Sequence, residues 1–152
     1  MTQAELDHQF MQQAIEQAQL AALAGGVPVG AVLVRDGKVV SNGFNQPITR
    51  HDPSAHAEML ALRLAAKAEE NYRLPGSTLY VTLEPCTMCA GAMLHARVDR
   101  IVYGASDPKT GAAGSVLDVF SLKQINHQTT VEGGIMGEEC GELLRSFFKE
   151  RR

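Results

Sequence analysis

Apolar residues recur at helical spacing in some stretches of this chain and cluster in short β-branched runs in others. Near the start, Leu6, Phe10, Ala14, Ala18 and Ala21 mark one face of a helix. Thr2 and Glu5 read as a capping box that opens it, and Gly25-Gly26 as its stop. Two β-branched runs, 29–35 and 38–45, then flank Asp36-Gly37, a pair favoured where a hairpin turn needs left-handed residues. Asp52-Pro53-Ser54 predicts the cap and first turn of a helix over about 55–70. Strand-like runs follow at 78–83 and 100–105, separated by a helix that opens after Glu84-Pro85-Cys86 and ends near Arg97. A small-residue loop at 111–114, a weaker strand over 129–132 and a helix over about 137–151 complete the order. That last helix is expected to bury Cys140, Leu143, Leu144, Phe147 and Phe148 on one face. A hairpin followed by strand–helix alternation predicts an α/β fold, a mixed five-stranded sheet with helices on both faces. The 152 residues fit a single domain, 1–152.

Composition narrows the setting. Hydrophobic residues make up 45% and charged residues 20%, the balance of a folded chain rather than a disordered one. No apolar run approaches the roughly 20 residues needed to span a bilayer. The first 20 residues hold Glu5, Asp7 and Glu16 and no Lys or Arg, unlike an export or transit signal. A cytoplasmic protein with no membrane partner is the expectation. The net charge of −3 means that a nucleic-acid partner must be met by a local basic patch. Arg145, Lys149, Arg151 and Arg152 read equally well as a phosphate-binding tail or as cations favoured at a helix C-terminus.

Two short motifs carry the chemistry: His56-Ala57-Glu58, and Pro85-Cys86-Thr87-Met88-Cys89. A C-x-x-C pair without an export signal favours metal or redox chemistry over a structural disulfide. Zinc accepts thiolate and imidazole, and a catalytic zinc keeps three protein ligands plus a water. His56, Cys86 and Cys89 supply those three, which argues against a closed four-ligand structural site; a redox pair would explain neither His56 nor Glu58. Cys86 and Cys89 stand three apart at a helix start, where free amides favour thiolates. His56 falls in the first turn of its own helix, so two helix N-termini are expected to converge on the metal. Helical geometry points Glu58 about 200° away from His56, free to serve as a base rather than a ligand. Cys140 shares a face with Leu144 and Phe147 and reads as a core thiol. His8, His51, His95 and His127 have no metal-spaced partner and are expected at the surface or in caps.

These motifs resemble those of the zinc-dependent nucleoside and base deaminases, whose signature is H-x-E followed by P-C-x-x-C. The likeness extends over nearly the whole chain. The segment 27–32, Gly43-Phe44-Asn45, the runs at 51–63 and 71–115, and the terminal FFKERR all resemble the bacterial tRNA-specific adenosine deaminases. The resemblance implies a three-layer cytidine-deaminase-like fold, a homodimer and one Zn2+ per subunit. It implies hydrolytic deamination of adenosine to inosine at the wobble position of a tRNA anticodon. Glu58 would take a proton from zinc-activated water and deliver it to adenine N1. Asn45 matches the position that hydrogen-bonds the flipped base, Pro28 and Val29 match the pocket wall, and Asp107 with Ala105 and Ser106 matches a loop beside the nucleic-acid strand. Ser106 departs from relatives that carry Arg there.

Read without the resemblance, Asn45 and Asp107 are equally at home in turns. Two other functions compete with tRNA editing. One is a deaminase of a free base or nucleotide such as guanine, cytosine or dCMP, from which the small Val29 argues away, since relatives acting on guanine tend to carry Phe there. The other is a zinc module that binds RNA or protein without catalysis.

Overall fold

The computed structural model describes residues 1–125 and 127–151. Helix α1 (Gln3–Leu23) opens with the capping box. The Glu5 N–H donates to the Thr2 hydroxyl at 3.1 Å, and the Thr2 N–H donates to the Glu5 carboxylate at 3.0 Å. Strands β1 (Gly30–Arg35) and β2 (Lys38–Phe44) pair antiparallel across Asp36 and Gly37. The φ angles of those two residues, 52° and 74°, are the left-handed pair that a type I′ hairpin requires.

Strand β3 (Ser77–Leu83) pairs antiparallel with β1 and parallel with β4 (Arg100–Ala105), and β4 pairs parallel with β5 (Thr130–Glu132). The five strands stand in the order β2-β1-β3-β4-β5, the mixed sheet that the sequence predicts. Helix α3 (Ala57–Glu69) crosses from β2 to β3, α4 (Thr87–His95) crosses from β3 to β4, and α5 (Gly137–Glu150) follows β5.

Alternate residues of a strand face opposite sides, and the core divides accordingly. Ala31, Leu33, Leu79, Val81 and Ile101 pack with Ala57, Ala61, Cys89 and Met93 of α3 and α4. Val32, Val34, Tyr80 and Val102 pack instead with Phe10, Met11, Ala14 and Ile15 of α1 and with Cys140 of α5. Helices therefore cover both faces, giving three layers. No helix among the described residues is long and apolar enough to cross a membrane.

Several expectations need correction. The helix expected from about 55 begins at Ala57, because Asp52 turns its carboxylate onto the Ser54 N–H (2.9 Å) and hydroxyl (2.7 Å) and closes a local turn instead of capping. Phe148 is 47% exposed, whereas Phe147 is buried. Leu143 and Leu144 are half-buried against the core, and Phe148, at the outer edge of that apolar face, rests edge-on against Phe147. Two short elements carry too few residues to show a period, the helical turn α2 (Pro47–Arg50) and a 3-10 turn at Val119–Ser121. Of the basic tail, Arg145 is paired with Glu138 and Glu142 on its own helix, and Arg151 lies over the Phe147 ring. Arg152 lies outside the described residues.

Candidate active site

The end of β3 runs through Glu84-Pro85 into Cys86, the N-cap of α4, and Cys89 sits one turn into that helix. His56 is the N-cap of α3, one position outside the first turn in which the sequence places it. Both caps are extended, with φ and ψ of −74° and 155° at His56 and −81° and 177° at Cys86. The His56 side chain makes no capping bond to its own helix, and the two side chains point toward each other.

Backbone packing fixes where α3 begins. The Gln46 N–H donates to the Ala55 carbonyl at 2.9 Å, and the buried Ser41 hydroxyl donates to the Ala61 carbonyl at 2.7 Å. Gly43 of β2 lets the helix lie directly on the strand: a Cβ there would sit 2.5 Å from the Ala57 carbonyl oxygen and 3.0 Å from the Ala61 nitrogen. An absent side chain on β2 thus helps set where the imidazole stands.

The Nδ1 atom of His56 lies 3.6 Å from the sulfurs of both Cys86 and Cys89. Bonds of about 2.3 Å to sulfur and about 2.0 Å to nitrogen around a tetrahedral zinc give an S···N edge of about 3.5 Å. The donor set therefore fits zinc in both kind and spacing, and the three residues are positioned to bind one metal ion. Among the described residues no fourth His, Cys, Asp or Glu joins the cluster.

The electrostatics of these groups are tightly linked. Hydrogen bonding from Cys89, and then from His56, brings the Cys86 thiol down to about 4. The Cys89 thiol is pushed up by its hydrogen bond to Cys86 and by full burial. His56 is raised above its ordinary value, chiefly by its contact with Cys86. Glu58 is 4% exposed, and burial pushes its carboxyl up to about 7. It lies within hydrogen-bonding reach of the Cys89 thiol. The helical projection used for Glu58 does not apply, because His56 is an extended cap outside the helix, but Glu58 does not join the three metal-binding groups.

The remaining expected residues fall into two groups. Pro28 and Val29 are buried just before β1, and the Asn45 N–H donates to the Val29 carbonyl at 3.0 Å, so the three meet although the hairpin separates them in sequence. The next residue, Gln46, bonds to the residue before His56, which brings this group alongside the metal-binding turn. Asp107 is different. Its carboxylate accepts from the Lys109 N–H, the Thr110 N–H and the Thr110 hydroxyl, so it shapes its own loop.

One residue escapes the motif reading altogether. Glu84 is 2% exposed and accepts from the N–H groups of Asp107, Ala113 and Ser115 and from the Ser115 hydroxyl. Its signal in the sequence is slight: a carboxylate at a strand end, ahead of a loop of small residues whose buried amides need an acceptor.

The sequence profile of the cytidine and deoxycytidylate deaminase zinc-binding region matches residues 4–105. The chain is 52% identical over 149 residues to the tRNA-specific adenosine deaminase of Haemophilus influenzae, covering 97% of this chain and 86% of that protein. A structure from biochemical and structural studies of A-to-I editing by tRNA:A34 deaminases at the wobble position of transfer RNA superposes with a TM-score of 0.87 and 45% identity, covering 90% of this chain and 99% of the other. The guanine deaminase from Bacillus subtilis superposes with a TM-score of 0.66 and 38% identity, covering 83% of this chain and 78% of that one.

Proposed function

Since this chain belongs to the cytidine and deoxycytidylate deaminase family, among its tRNA-specific adenosine deaminases, we propose that it converts adenosine to inosine at the wobble position of a tRNA anticodon. The observation that carries the reading is the meeting of one imidazole nitrogen and two cysteine sulfurs beside a buried carboxyl. His56, Cys86 and Cys89 hold the metal. Bound there, zinc supplies Lewis-acid activation of water at neutral pH.

Glu58 moves the protons. A carboxyl held near neutrality both takes and returns a proton without a large driving-force penalty. It takes one from the attacking water and delivers it to N1 of the purine ring, then takes the second from the hydroxyl newly bonded to C6 and delivers it to the amino group, so that the C–N bond breaks and ammonia leaves. Asn45 hydrogen-bonds the flipped base, Pro28 and Val29 form the wall against which it rests, and Asp107 gives the loop beside the RNA strand its shape. The proposal extends to a cytoplasmic homodimer acting on the anticodon stem-loop. The apolar residues Val116, Leu117 and Leu122, each at least half exposed, provide surface for a second subunit.

The test is inosine formation in an anticodon stem-loop incubated with the purified protein. Product that disappears with a chelator and falls steeply with added salt supports the reading. The likeness to a guanine deaminase favours a second reading, action on a free base. Salt-independent release of ammonia from free guanine, with no inosine in the stem-loop, would establish that reading instead. No ammonia from any of these substrates would leave a non-catalytic zinc module.

A further inference from the structure

The four donors that converge on Glu84 belong to a loop that the zinc chemistry itself does not need. Each carboxylate oxygen accepts twice: Oε1 from the Asp107 N–H and the Ser115 hydroxyl, Oε2 from the N–H groups of Ala113 and Ser115. Two acceptances per oxygen is the full capacity of an ionised carboxylate. Gly111 presses directly on the same group, and a Cβ there would collide with it. The adjacent residue, Pro85, accepts from the Ala112 N–H at 2.8 Å, and the Glu84 N–H donates to the Ala105 carbonyl at 2.8 Å. The two residues that precede the first metal-ligating thiol therefore clasp the loop 106–115 from its start to its end. Ser106, Lys109, Thr110 and Ser115 of that loop face solvent.

We propose that Glu84 is a positioning residue for the nucleic-acid substrate, holding the loop 106–115 in one register against the metal-ligating turn. The inference rests on the reading of this chain as a tRNA deaminase. The loop offers the exposed Ser106 hydroxyl and Lys109 beside the site, while the hydroxyls of Thr110 and Ser115 are spent on Asp107 and Glu84, and such groups contact a phosphate backbone only if their spacing is fixed. A carboxylate is the one side chain that can accept from all four donors. Replacing it with glutamine turns an amide NH2 toward two of them, which opposes donor to donor and frees the loop. His56, Cys86, Cys89 and Glu58 are untouched by that change, so the effect belongs to substrate engagement rather than to the proton transfers.

Steady-state kinetics of Glu84→Gln and Ser115→Ala on an anticodon stem-loop, with zinc content measured for each, test this. Glu84→Gln is expected to raise KM by about tenfold or more, while kcat stays within about threefold and zinc remains at one per chain. Ser115→Ala, which removes one donor of the four, is expected to raise KM about threefold. A fall in kcat at unchanged KM overturns the proposal, since that is what a loss of active enzyme gives. Should Glu84→Gln fail to fold or to hold zinc, Ser115→Ala decides alone: a raised KM sustains the assignment and an unchanged one overturns it. The wild type separates the two layers of inference. A wild type that forms no inosine sinks the functional reading, whereas an active wild type with KM unchanged in both variants sinks only the role of Glu84.

Discussion

Two buried carboxylates, one on each face of the sheet, have opposite fates. Asp7, on the α1 face, is 2% exposed, and Glu58, on the α3 face, is 4% exposed. Burial opposes the charge on both. At Asp7 it is outweighed: Arg100 donates to both oxygens at 2.8 and 2.6 Å, Tyr80 donates at 2.6 Å and Gln3 at 2.9 Å, and the carboxyl is held at about 2. Glu58 has no such cation, and its carboxyl rises to about 7. The same chemical group, equally hidden from water, is a fixed charge on one face and a proton carrier on the other. At Asp7 the hydrogen-bonding partners outweigh burial, and at Glu58 burial prevails. The α1 face is built for stability, and the α3 face keeps a group whose proton is free to move.

The largest effect that tests this contrast is at Glu58. Glu58→Ala is expected to keep zinc at one per chain while turnover falls by about 10²–10⁴, the contribution of a positioned acid–base group. Metal analysis beside an inosine assay checks it, and near-normal turnover would refute the role. Asp7→Asn should do the reverse, leaving turnover per folded molecule unchanged but costing about 2 kcal/mol, because Arg100 loses its buried counter-charge and keeps only the exposed Glu132 at 3.0 Å. Chemical denaturation measures that loss.

Acid should sharpen the same distinction. Asp7 has an ordinary value of 3.8 when unfolded and about 2 when folded, so its stabilisation is complete above about pH 4 and fades as pH falls through 2. About 2 kcal/mol should disappear over that window in the wild type. The stability difference between wild type and Asp7→Asn should shrink correspondingly, and a difference that stays constant from pH 5 to pH 2 would contradict the assignment. The smallest expected effect is at Cys140, 1% exposed on the α1 face and packed against Gly104. Cys140→Ala should cost about 1 kcal/mol and change neither zinc content nor turnover, in contrast to Cys86 and Cys89 across the sheet.

Much of the α3 face was legible in the sequence because zinc chemistry restricts both residue type and spacing. His56, Cys86 and Cys89 stand out for that reason, and so does the order of elements, since Asp36-Gly37 and the β-branched runs announce a hairpin and strands locally. The α1 face was far less legible. Asp7, Tyr80 and Arg100 are 73 to 93 positions apart in their pairings, and no local pattern links them. Glu84 was hidden for a related reason: its partners are backbone amides, which every residue carries. Asp107 illustrates a third case, a carboxylate whose type suits either a turn or a ligand and whose turn bonds emerge only with the loop's coordinates. Phe148 shows the limit of apolar counting, since a residue at the edge of a helix's apolar face looks the same in sequence as one at its centre.

The bare backbone at Gly43 makes metal capture depend on how closely one layer rests on another. Adding even a methyl at that position would press on the Ala57 carbonyl and shift the start of α3, the turn that carries the imidazole. A survey of random variants scored by zinc content would then register position 43 alongside the true ligands, although nothing at that position ever touches the ion.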